Sequence, residues 1–377
     1  MKLFKSLLVA PAALGLLAPM TATANELNLD DVSGYSSSEE VQNIGEFNSA
    51  DLAVTNSRVD GIEARLNNYE AGSFSSTTAA SFSVDMAIGA VDGNASETVG
   101  TAYGYQIDLS TSFTGEDALS VSLDAGAGAS SLGELDLNSN GDTLAVDGIT
   151  YSFPLGEKAT ILIGDSTDGS ALYSTACVYG GFTNTLDDCG NYSSAFTSPS
   201  NGATISASYD IGNGFTGALG YAGEGTSDGL MTKAGTDMFG GQLSYAADTY
   251  GVSVTYANVE DATKSYASST AKEEYLNEST SWGLNAYWTP DTTGSMPSVS
   301  VGYETTDVEG SNTDDTTQWF VGLQWDELGT GTFGVAAGSN GPTKENADEL
   351  MAYEAFYSYP VNDGMTITPA VFMKETA

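Results

Sequence analysis

Carboxylates are the reactive groups this chain has in quantity: 50 Asp and Glu against 10 Lys and Arg, with no His, for a net charge of −40 over 377 residues. Neighbouring acids such as Glu273 and Glu274 are the raw material of a general acid and base. That chemistry requires one member to be buried so that its pKa rises, and both stand in a polar stretch with nothing apolar to bury them. The acidic run 307–315 lacks the spacing and closing Glu of a calcium loop. It gathers divalent ions loosely or is a plain solvated face; the sequence leaves both open. Gly-rich runs such as Gly212-Asn213-Gly214 read as hairpin turns and not phosphate cradles. The lack of His removes His-based catalysis and His metal sites. Phosphate backbones are repelled by so negative a chain, so no nucleic-acid partner is expected. The expectation is a protein that is not an enzyme, with no catalytic residue, cofactor or metal site.

The other reactive pair is Cys177 and Cys189, with eleven residues between them inside one long polar link, 165–202. Residues 1–24 have the plan of a secretory signal: Lys2 and Lys5, an apolar core from Leu7 to Leu17, and small residues Ala22-Thr23-Ala24 at the cleavage point. In an exported chain the two thiols are expected to be bonded.

The elements that would position these groups are strands. In the run from Thr317 to Gly338, Trp319, Val321, Leu323 and Trp325 alternate with the mostly polar or small set Gln318, Phe320, Gly322, Gln324 and Asp326. A period of two with one greasy face is a strand. Aromatics at its ends, together with Trp282 and Trp288, suit an apolar outer wall girdled at both membrane interfaces. Runs of this kind recur at 80–90, 102–113, 119–125, 149–155, 160–164, 203–211, 215–221, 239–246, 250–257, 282–289, 298–305, 351–359 and 365–373. Tight turns such as Gly115-Glu116-Asp117 alternate with long polar links such as 165–202 and 258–280. After residue 20 no apolar stretch is long enough for a transmembrane helix, and a chain that spans without helices is a barrel. The fold class expected for 78–377 is an all-β, antiparallel up-and-down transmembrane barrel of 15–16 strands, with the lipid bilayer as a partner. The strands number fifteen, so a sixteenth is expected, either within 132–147 or beyond Ala377, and the second is favoured. Residues 25–50 read as a flexible acidic lead-in. In 51–70, Val59, Ile62, Leu66 and Tyr69 are spaced three, four and three, a helical seam. It is a periplasmic coiled coil that helps form a homotrimer, or a single helix under the barrel mouth.

With a barrel in hand, the long link acquires two readings. Folded inward, it narrows a pore and sets Asp187 and Asp188 at the constriction; otherwise it covers the outer rim. Past Thr78 the basic residues are six Lys, with no Arg. Cation pores are lined by Asp and Glu, so a cation preference is expected.

The opening MKLFKSLLVAPAALGLLAP, followed by ELNLDDVSGYSSSEEVQNIGEF, resembles the outer-membrane porins of cyanobacteria, in the carbohydrate-selective porin family, some of which are labelled iron-uptake porins. The stretch from Val59 to Leu66 resembles that family's short helix before the barrel, and Phe74 to Thr78 the lead into its first strand. The Cys177–Cys189 pair with Asp187 and Asp188 resembles a loop cysteine pair, and Thr368 to Phe372 its penultimate strand. The resemblance implies a passive channel for small hydrophilic solutes and ions, carbohydrates or iron among them. A cell-envelope protein whose pore is incidental is the alternative. In two respects the chain departs from the family: Phe47 leads almost directly into the helix with no S-layer-homology domain before it, and a final strand with a terminal aromatic is not found.

Overall fold

The computed structural model describes residues 78–376 apart from 94–96, 136, 138–140, 188, 196–201, 226–228, 233–234, 269–270, 293 and 310–314, and the backbone of Leu8–Leu14; within 261–277 the backbone alone is described. The strands are β1 Leu8–Leu14, β2 Thr78–Val91, β3 Gly100–Thr111, β4 Ala118–Gly128, β5 Ala145–Leu155 and β6 Ala159–Asp165. They continue as β7 Ala203–Gly212, β8 Phe215–Gly223, β9 Asp237–Ala246, β10 Tyr250–Ser268, β11 Ala271–Trp288 and β12 Ser298–Glu309. Last come β13 Thr316–Leu328, β14 Gly331–Ser339, the two-residue β15 Thr343–Lys344, β16 Met351–Asn362 and β17 Met365–Lys374. From β2 to β14, each strand pairs antiparallel with the next; β14 then pairs β16, and β16 pairs β17. β15 is a short flap on β13.

This is an up-and-down sheet of the outer-membrane barrel type, and its fifteen long strands are those expected from the alternation. Its two edges, β2 and β17, are not paired with each other. Between them lies β1, which meets β17 at Leu14↔Ile367 and β2 at Leu8↔Val91. β1 falls within the stretch read as a signal core, and its place in the sheet is the one the odd strand count leaves. The seam helix of Val59, Ile62, Leu66 and Tyr69 lies outside the described residues.

Alternation sorts the two faces. On the outside are Phe82, Leu243, Leu284 and Val321, all well exposed; on the inside Ser300, Glu304, Gln318 and Phe320 are buried. Register places the four tryptophans on two levels. Trp282 and Trp319 lie on adjacent outward rungs, because Trp282 faces Thr305 and Trp319 faces Tyr303. Trp288 lies level with Val299 and Leu323, one rung above Trp325. The levels of Trp282 and Trp325 are eight residues apart along the strands, about 26 Å at the rise of a strand and roughly 20 Å of height at a tilt of about 40°, close to the height of an apolar belt of about 25 Å.

Two expectations are corrected. The stretch 258–280 is not a polar link: β10 and β11 stay in register from Tyr250↔Trp288 to Ser265↔Glu273, so Glu273 and Glu274 sit on a strand. Beyond the apolar belt both faces of a hairpin are wet, so the greasy period disappears while backbone pairing continues. Among the described residues between 132 and 145 there is no further strand; Ser130–Leu135 is a 3₁₀ turn, and β5 begins at Ala145.

Candidate functional site: an inserted link and the lumen wall it faces

The link between β6 and β7 folds inward. Its neck is closed by Ser166 N–H donating to Gly202 O at 3.1 Å. Beyond the neck it lies on the inner face of the far wall. Tyr179, Leu186 and Cys189 of the link form one buried cluster with Phe320, Ala336, Ala352 and Phe356 of β13, β14 and β16. Tyr179 sits 5.4 Å from the Phe320 ring and 5.9 Å from Phe356, centre to centre, and Phe182 packs on Phe356 and Phe372. Inward glycines flatten the bed. A Cβ on Gly302 would stand 1.7 Å from the Cys189 carbonyl oxygen, and one on Gly322 would stand 2.6 Å from the Tyr179 ring. Aromatic rings inside a water-filled barrel would be costly if left wet; here they are covered by the link.

Hydrogen bonds from strands around the wall fix the link in place. Ser174 N–H donates to Gln242 Oε1 at 2.7 Å, Val178 N–H to Ser300 Oγ at 3.0 Å, and Gly180 N–H to Gln324 Oε1 at 3.0 Å. Asn285 Nδ2 donates to Cys189 O at 2.9 Å and Gln318 Nε2 to Gly190 O at 3.1 Å. Two buried carboxylates take several donors each. Glu354 accepts from Tyr179 OH at 2.7 Å, from Thr183 N–H at 3.2 Å and from the Thr183 hydroxyl. Glu304 accepts from Ser193 N–H at 2.8 Å and Ser194 N–H at 2.6 Å. At the mouth, the link also meets the β4–β5 connection: Asn184 N–H donates to Glu134 O at 2.9 Å, and Lys374 Nζ reaches Glu134 Oε2 at 2.7 Å and Thr185 Oγ1 at 2.8 Å. Leu132 of the same connection is packed on Ala87 and Ala102 of β2 and β3. The Glu134–Lys374 pair therefore staples β17 to the β2 side, across the edges that do not pair directly.

Across the lumen, β2–β4 present a different surface. Their inward rungs in register are Ser81↔Asp108↔Ser122, Ser83↔Gln106↔Asp124 and Asp85↔Gly104↔Gly126. Each of three successive rungs carries one aspartate, and rungs on one face lie about 7 Å apart. Asp108 is held by Gln106 Nε2 at 2.8 Å and Ser122 Oγ at 2.7 Å. Beside this staircase a polar recess of 340 Å³ runs between β4, β5 and the start of the link, lined by Ser120, Ser122, Asp147, Thr150, Thr167 and Asp168 among others.

Of the residues singled out in the sequence, Cys177 and Cys189 are joined as a disulfide with Cα atoms 6.4 Å apart. Asp187 lies on the turn whose Thr183 carbonyl accepts its N–H at 3.1 Å, and one of its carboxylate oxygens is enclosed. Asp188 lies outside the described residues. Trp282 and Trp288 are on the exposed outer face, Trp319 Nε1 donates to Glu349 Oε1 at 2.6 Å, and Trp325 packs 5.6 Å from Phe333. Sequence reasoning missed Glu304 and Glu354. The signal was there in principle: each is a lone acid at an inward position, next to an outward Tyr, Tyr303 or Tyr353.

No family model matches the chain. It is 28% identical over 416 aligned residues to the uncharacterized protein alr4550 of Nostoc sp., covering 93% of this chain and 70% of that one. Among solved structures it is similar to OprB of Pseudomonas putida, with a TM-score of 0.52 at 11% identity, covering 79% of this chain and 94% of that one. It is also similar to OmpT, an outer membrane protein of Vibrio cholerae in its trimer form, with a TM-score of 0.50 at 10% identity, covering 79% and 99%. At these identities the likeness shows the fold, an outer-membrane β-barrel.

Proposed function

We propose that the protein is an outer-membrane porin: a passive channel for small hydrophilic solutes and inorganic ions that prefers cations. The observation that carries this reading is the inserted link, which fills the β9–β16 side of the lumen and leaves the aspartate staircase of β2–β4 as the wall facing the path. Asp85, Asp108 and Asp124 join Asp187 and Asp188 as acids expected to line it. A low-dielectric wall focuses their field into the lumen and raises the local cation concentration. A homotrimer, and carbohydrates or iron as cargo, are what the family resemblance implies; the staircase favours cations over neutral sugars. Reversal potentials in a KCl gradient across a planar bilayer test the reading. Cation preference is expected at low salt, fading towards 1 M as the screening length falls to about 3 Å. An unselective or anion-selective pore at low salt overturns the preference, and a barrel that inserts without conducting is the envelope-structural alternative. Changing Asp85, Asp108 and Asp124 to Asn is expected to abolish the preference.

A further inference from the structure

We propose that Glu304 and Glu354 are positioning residues that set the width of the pore: each carboxylate latches one limb of the inserted link to the far wall, and the latched link is the state that conducts at the native size. This rests on the channel reading above. Both side chains are sealed, at 1% and 4% exposure, in the middle of strands that face the lumen. Burying a carboxylate is costly unless it collects hydrogen bonds from well-placed donors. The donors here come from the link: Tyr179 and Thr183 to Glu354, Ser193 and Ser194 to Glu304. The arrangement follows the disulfide. Tyr179 and Thr183 come shortly after Cys177; Ser193 and Ser194 come shortly after Cys189. The disulfide ties the two limbs together, and each limb then has its own acid on the wall. Gln318, which faces Glu304 across the β12–β13 ladder, seconds one latch by donating to Gly190 O at 3.1 Å. Packing alone could have been served by neutral side chains of the same size; acids at these two positions instead give the link's donors acceptors they could not replace with water once inside.

Loss of one latch is expected to shift the link's balance between seated and released by roughly tenfold to a hundredfold, the range for losing two hydrogen bonds at once. The test compares E304A, E354A and the double variant with E304Q and E354Q, whose amide oxygens still accept a bond, in planar bilayers and in liposome-swelling assays with sugars of increasing size. Folding is followed by heat-modifiable mobility, and the link by limited proteolysis in detergent. The double alanine variant is expected to show higher and noisier single-channel conductance, a larger exclusion limit and a cleavable link, with the glutamine variants nearer the native protein. A folded double variant with native conductance and exclusion limit overturns the proposal. Should that variant fail to fold, Tyr179→Phe combined with Thr183→Val removes the donors from the link and leaves the wall intact; native conductance and a protected link in that variant overturn it equally. If the native protein does not conduct, the channel reading falls, and the latches are judged by proteolysis alone, where a link equally protected with and without Glu304 and Glu354 overturns them.

Discussion

Replacing Gly302 with Ala adds a single methyl group at the point where wall and link are closest. That methyl would stand 1.7 Å from the Cys189 carbonyl oxygen, whereas ordinary contact begins at 3.4 Å. The obstacle is backbone, so no rotamer relieves it, and a disulfide at the same residue stiffens the segment. Wall and link must separate by about 1.7 Å, the difference between those two distances. A hydrogen bond of 2.9 Å from Asn285 to Cys189 O does not survive that displacement, nor does the bond from Gln318 to Gly190 O. Two such bonds at about 1 kcal/mol each, with about 1–3 kcal/mol for overpacking, give a penalty of roughly 3–5 kcal/mol on the seated link. The barrel ladder at Gly302↔Phe320 and Gly302↔Asn285 is backbone pairing and is expected to hold. Gly302→Ala should therefore fold, with its heat-modifiable band intact, while the link becomes open to protease and conductance rises. If G302A has native conductance and a fully protected link, the inward path of residues 189–194 is wrong.

Two further perturbations follow from the faces and the turns. Val321 lies on the outward face between the two tryptophan levels, level with Val301 and Ala337; Val321→Arg is expected to cost roughly 2–4 kcal/mol of insertion near the midplane, against a mild effect for Gln324→Arg, as read by folding titration into lipid vesicles, and the reverse order would place every side chain of β13 on the opposite face. Asp117, at the β3–β4 turn, accepts from Thr114 Oγ1 and Thr114 N–H at 2.7 Å, from Ser112 Oγ at 2.8 Å and from Tyr151 OH at 2.7 Å. The Thr114 hydroxyl first, then the other donors, hold its pKa well below the ordinary carboxylate value, against the pull of burial. A depressed pKa stabilises the fold above the unfolded value of about 3.9 and is lost as pH falls through the lower, folded one. The protection factors of the turn amides, exchange rates divided by the intrinsic rates at the same pH, should be pH-independent near neutrality and fall in acid, and Asp117→Asn should already lack that protection at pH 7; a D117N turn as protected as the native one would refute the assignment.

The strands were legible because a bilayer leaves the sequence little choice. Outward positions must be apolar, so Trp319, Val321 and Leu323 announce their face, and tight turns at one rim keep the count. Legibility ended where the bilayer ends. Above the belt, β10 and β11 continue with Asp261, Lys264 and Glu273 in register, and no periodicity marks them. The direction of the 165–202 link was undetermined for a related reason: its residues are polar enough for either the rim or the lumen. The informative residue was on the wall. Phe320 occupies an inward position in a strand whose other inward residues are polar or glycine, and it is fully buried at 1% exposure. An aromatic facing the lumen of a wide barrel must be covered by something, and the long link is what covers it. Read that way, Phe320, Phe356 and Phe372 mark the landing site in advance.

Composition also overstates the charge available to the pore. A net charge of −40 suggests an acidic lumen throughout, but the acids do different work. Glu304 and Glu354 are sealed under the link and tied to its donors. Glu134 is paired with Lys374 at the mouth. Asp117 holds a turn. What remains on the inward rungs of β2–β4 is Asp85, Asp108 and Asp124, one per level. The three stand one rung apart, about 7 Å of rise each, on three different strands about 4.8 Å apart. Neighbouring charges therefore lie roughly 8 and 12 Å from one another, at or beyond the Debye length of about 8 Å at physiological salt, and each acts on a passing cation in turn. Such a ladder binds at no single level strongly enough to stop transit, which is the condition a conducting pore has to meet. On the proposed channel reading, selectivity is a property of the wall the link leaves uncovered, and the proposed latches beneath the link determine which wall that is.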